Sequence, residues 1–182
     1  MKVLMRIQFI DMIFAEQIKL LKDRDHLPAL KTNIESALIS DIVTLLKLSN
    51  IDVSSELLLH AGLDGARILS FSSVGAMLSS IDADPSDCVE YLRLYSFVHH
   101  LKTHHDVPSK TAVSLADKDA HATEQLRKHG VTEEMLLYMD PPLMFSQTLG
   151  IKPSVLNAIK EAVVEKRRGS LLLLLSSKSF PI

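Results

Sequence analysis

Four histidines fall within seven residues, His99-His100-Leu101-Lys102-Thr103-His104-His105. On a continuing helix His100 and His104 share a face, and two imidazoles at that spacing can hold zinc or nickel. Asp106 is adjacent, but no cysteine or carboxylate has an evident reason to complete the site. The run fits a solvated helix end, where partly charged histidines suit the negative terminus. Asp82, Asp84 and Ser86 alternate like the opening of a calcium loop. Asp87 then stands where that loop needs glycine and Arg93 where it needs a bidentate glutamate, with Pro85 stiffening the middle. A helix start is the better reading. Cys88, the one cysteine, lies on the apolar side of an expected helix and reads as a small hydrophobe rather than a reactive thiol. No nucleophile elbow, dinucleotide fingerprint, Walker loop or His-Glu-x-x-His occurs. The expectation is a non-enzyme without catalytic residues, resident metal, cofactor or small-molecule substrate.

Bulk properties narrow the class further. The 182 residues suffice for one medium or two small domains, and 47% hydrophobic content supports a packed core. A net charge of -2 gives no field that would draw the whole chain to nucleic acid or an anionic membrane. One cysteine excludes an intramolecular disulfide and points to a reducing compartment, cytoplasm or nucleus. The opening MKVLMRIQFIDMIFAEQIKLL is broken by Arg6, Gln8 and Asp11, so an amphipathic helix suits it better than a secretory signal. Leu171 to Leu175 form a leucine run well short of a membrane span.

The elements expected to position these residues are helical almost throughout. Thr32-Asn33-Ile34-Glu35 has capping-box spacing and predicts a helix from about Asn33 to Leu48. Shorter helices are expected over Ser55–His60 and Gly65–Phe71, separated by a turn at Gly62. Asp84-Pro85-Ser86-Asp87 opens a long helix to about Lys102, and THHDVPSKTA is the linker. No strand alternation appears, so the expected class is all-α.

The chain also repeats. Shifted by 68 positions, Leu58 meets Leu126, Gly62 meets Gly130, Leu63 meets Val131, Ile68-Leu69 meets Leu136-Leu137, and Pro85-Ser86 meets Pro153-Ser154. Asp41-Ile42-Val43-Thr44-Leu45-Leu46, Gly62-Leu63-Asp64-Gly65, Ile68-Leu69 and Phe71-Ser72 together resemble a sterile alpha motif (SAM) domain, with leucine where that family usually has tryptophan. Gly130-Val131, Leu136-Leu137, Met139-Asp140 and Leu149-Gly150-Ile151 give a second copy whose turn is Thr132-Glu133 and whose opening helix, around Thr111 to Leu126, is poor. The resemblance implies two tandem SAM-like five-helix bundles with an extra N-terminal helix. The division is 1–38 N-terminal extension, 39–104 first domain, 109–168 second domain and 169–182 apolar tail. In the turns, Asp64 is expected to cap the following short helix and Ser72 the next.

The resemblance further implies head-to-tail association, an acidic middle of one domain meeting the basic start of the last helix of another. The acidic surface would comprise Asp64, Asp82, Asp84, Asp87, Glu133, Glu134 and Asp140, with residues near 70–77. The basic one would comprise Lys152, Ser154, Lys160, Lys166, Arg167 and Arg168. The expected function is a protein–protein scaffold or adaptor in signalling or regulatory assemblies, binding itself or another SAM-like domain. The rival is RNA binding through Lys152, Lys160 and Arg167, although 5% aromatic residues leave few stacking platforms. A third reading is a single irregular helical domain, a fragment of a larger protein.

Overall fold

The computed structural model describes residues 33–113 and 119–176, with backbone alone over 171–176. The expected N-terminal helix before residue 33 and the end of the leucine tail lie outside the described residues. Where a helix was expected from Asn33, a single 3-10 turn forms at Ile34–Ser36, and the chain is extended at Ala37 and Leu38. The cause is a bond elsewhere: the Ala37 carbonyl accepts from the Gly65 amide at 3.0 Å, so it is not spent within a helix. Helix α1 (Ile39–Leu48) begins after that break, with Asp41 accepting the Leu38 amide at 2.9 Å. Thr32, half of the expected capping box, is outside the described residues. Ile42, Val43, Leu45 and Leu46 make the buried face of α1.

Helix α2 (Ser55–Ala61) is capped by Ser54 and stopped by Gly62 in the left-handed region, φ 61°. Asp64 then caps α3 (Gly65–Ser70), its carboxylate accepting the Arg67 amide at 2.8 Å, as expected. The cap of α4 (Val74–Ser80) is Ser73 and not Ser72, because Ser73 is the extended residue (φ -156°, ψ 162°) that aims its hydroxyl at the Ala76 amide. Pro85–Asp87 forms a 3-10 turn before α5 (Cys88–His104). Tyr91, Leu92, Leu94, Tyr95, Phe97, Val98 and Leu101 are all buried, so α5 is enclosed on nearly every side. Beyond it come α6 (Ala120–Lys128), α7 (Glu133–Tyr138), α8 (Leu143–Leu149) and α9 (Pro153–Ser176). Among the described residues no strand forms, and Ala112 and Thr132 make an isolated antiparallel bridge. The protein is all-α.

The chain divides into two compact units that do not follow the expected 39–104 and 109–168 pieces. One takes the described residues up to Ser72 with Arg93–Pro108; the other takes Ser73–Leu92 with the described residues from Ser109 onward. Specific bonds bring 73–92 into the second unit. The Gly75 amide donates to Asp140 O at 2.9 Å, and Thr148 Oγ1 donates to Pro85 O at 2.8 Å. A Cβ on residue 75 would strike the Pro141 ring, so only glycine permits that approach.

Local geometry nevertheless recurs at the 68-residue offset. Helices α3 and α7 coincide from first residue to last. Gly62 and Gly130 are both left-handed, at φ 61° and 65°. Leu63 N donates to Leu58 O at 3.0 Å, and Val131 N to Leu126 O at 2.8 Å. Asp64 and Thr132 cap the short helices, and each helix's first amide, Gly65 and Glu133, donates at 3.0 Å to a carbonyl of a preceding segment, Ala37 and Thr111. Ile68 and Leu136 are fully buried at the same register.

Candidate functional site

Charged residues converge where α9 returns along α7. Glu133 and Glu134 open α7, so their carboxylates sit at its amide-rich end. Both are buried, with side chains 8% and 3% exposed. Helical spacing on α9 puts Lys166 and Arg167 opposite them. Lys166 Nζ donates to Glu133 at 2.8 Å, and the Arg167 guanidinium donates to Glu134. Nearly two turns earlier, Lys160 donates to the Met139 carbonyl at 3.0 Å and stands 4.0 Å from the Asp140 carboxylate. Carboxylates buried to this degree require such partners, since removing either cation would leave charge in a poorly solvated place.

These are residues expected to face other molecules. The structure turns Glu133 and Glu134 inward and commits Lys160, Lys166 and Arg167 to partners within the chain. The expected RNA-contacting set thus has Lys160 and Arg167 engaged at home. Asp64 spends its carboxylate on capping α3. Of the residues near 70–77, Val74, Gly75 and Met77 are buried. Exposed charge remains at Asp82, Asp84, Asp140, Lys152 and Arg168, with Ser154 beside Lys152 and Asp87 half-buried. Asp82 adopts a left-handed φ of 49°. Asp84 accepts from the Ser86 amide at 2.8 Å and its hydroxyl at 2.7 Å, which holds its carboxyl below the usual range.

The histidine run is the solvated helix end expected only at His104 and His105, which are exposed. His100 is buried, contacts Asp106 at 2.8 Å and stacks on His104 at 4.3 Å between ring centroids. His99 stacks on Tyr95 at 4.0 Å. Its imidazole lies below the ordinary value because burial disfavours the cation, and a hydrogen bond to the Ile68 backbone offsets part of this. No group of three metal-ligating side chains assembles among the described residues. Cys88 is buried, with its sulfur 3.2 Å from Thr148 Oγ1, and desolvation pushes its thiol up. That environment suppresses thiolate formation. No helix among the described residues is long and apolar enough to cross a membrane.

Sequence reasoning did not find the α7–α9 pairing. Its partners lie 33 residues apart, so only the return of the chain brings them together. Nor did it single out Leu143 and Met144, consecutive apolar side chains exposed at the start of α8. No family model, curated protein or solved structure matches the chain.

Proposed function

We propose that this protein is a non-catalytic interaction module, a scaffold or adaptor built on SAM-like turns, acting in a reducing compartment by docking onto a second copy or a similar domain. The observation that carries the reading is the recurrence at 62–71 and 130–139 of one local plan: a left-handed glycine, a capped six-residue helix, and a buried aliphatic at the same register. Such a plan organises a small bundle and leaves function to its outer surface. The exposed charges supply two unlike patches on the second unit, Asp82 and Asp84 before α5, and Lys152 with Ser154 at the start of α9. Unlike patches on one unit can dock head to tail, which builds rings or chains of copies. Complementary potentials of this kind set encounter rate and partner choice.

Sedimentation velocity across a concentration series tests the proposal. Association should grow with concentration, weaken as salt screens the exposed charges, and weaken several-fold in Lys152→Glu. A chain that stays monomeric throughout, or associates with no response to salt or to Lys152→Glu, would sink it.

A further inference from the structure

The cations that hold α7 also lead directly to a hydroxyl. Lys166-Arg167-Arg168-Gly169-Ser170 places arginines two and three residues before an exposed serine, late in α9. Ser170 Oγ donates to the Lys166 carbonyl at 3.0 Å, so it lies on the Lys166 side of the helix. Residues three and four apart are neighbours on a helix surface. A phosphate on Ser170 would therefore adjoin both Arg167 and Lys166, the side chains that neutralise Glu134 and Glu133.

We propose that Ser170 is a phosphorylation site for a serine kinase that reads paired arginines, and that the phosphate releases α9 from α7. In the transfer, Ser170 Oγ bonds to the γ-phosphorus of ATP while the bond from that phosphorus to the β–γ bridging oxygen breaks. ADP leaves, and the hydroxyl proton passes to the kinase's base. The product carries about −1.5 to −2 charges and three strong acceptor oxygens. It competes with Glu133 and Glu134 for Lys166 and Arg167 from the same helix, and guanidinium–phosphate pairing is bidentate. The two carboxylates are then left buried without their cations.

Access follows from the same residues. A kinase cleft takes an extended segment, so the helix must unwind around Ser170. Gly169 is the weakest helix former short of proline, and open space lies where its side chain would be, which makes that the easiest place to do so. Kinase and Glu133–Glu134 compete for the same cations, so an open α9 and phosphorylation promote each other.

The test treats the full chain with the catalytic subunit of a cyclic-AMP-dependent kinase, ATP and Mg2+, followed by intact-mass and fragment spectra. One phosphate on Ser170 is expected, lost in Ser170→Ala and slowed in Arg168→Ala. Hydrogen exchange of the phosphorylated protein should then be at least about tenfold faster over Glu133–Tyr138, the equivalent of about 1.4 kcal/mol. Ser170→Ala keeps the basic residues and should match the untreated wild type. No incorporation, incorporation only at other hydroxyls, or a phosphorylated chain with unchanged protection of α7 would each overturn the proposal. None of these readouts depends on self-association.

Discussion

At residue 65 the backbone of Ile34 approaches so closely that a methyl group would collide with its carbonyl oxygen. Neither partner is a flexible side chain, and the Gly65 amide must also keep its 3.0 Å bond to Ala37 O. Gly65→Ala is expected to cost about 3 kcal/mol, near the upper end for overpacking, read from urea denaturation. Gly169→Ala should do the reverse, raising stability by roughly 0.5–1 kcal/mol because open space surrounds an ordinary helical position. His99 makes a pH prediction. Burial sets its folded pKa below the unfolded 6.5, so the folded state holds this proton less tightly. Stability is therefore full above pH 6.5 and declines as pH falls through that value toward the folded pKa. Replacing it by phenylalanine keeps a ring against Tyr95 and should flatten that decline between about pH 7.5 and 5.5. A decline equally steep in His99→Phe would assign it elsewhere. Caps were the most legible features at this scale, since Asp64 reaches only three residues ahead. The slip from Ser73 to Ser72 shows the limit. Adjacent serines are chemically equal, and backbone dihedrals choose between them.

The helices themselves were largely readable, because helical periodicity is a local signal. α2 and α3 fall within a residue of their expected ends. The failure at Ala37 came from a carbonyl claimed by a residue 28 positions later, and the α7–α9 pairing has the same character. That pairing yields a double-mutant prediction. Arg167→Ala leaves the Glu134 carboxylate, 3% exposed, without its cation. The loss should be about 2–3 kcal/mol, below the range for fully buried pairs because Arg167 itself is partly solvated. Adding Glu134→Gln removes the buried charge and should recover most of it. A double variant less stable than Arg167→Ala alone would show that the carboxylate matters for another reason.

For the molecule as a whole, α5 belongs to both units, its first five residues to one and the rest to the other. Sequence alone could not show this, since 73–92 reads as the natural continuation of 39–72. Bonds such as Gly75–Asp140 and Pro85–Thr148 tie it to the later chain. A fragment spanning 33–108 would leave Val74, Met77, Leu78 and Cys88, all buried here, without the later chain they join. Such a fragment should lack a cooperative melting transition and bind hydrophobic dyes, whereas 33–176 should melt cooperatively.

One consequence concerns exchange between the two halves of the gene. The register position that must be bare in one turn bears a sequestered acid in the other, Gly65 against Glu133. Recombination that pasted 131–139 over 63–71 would drive a glutamate into the Ile34 carbonyl, and the reciprocal splice would strand Lys166. Whatever their ancestry, the two turns are no longer spare parts for one another, and crossovers between them would yield less stable chains.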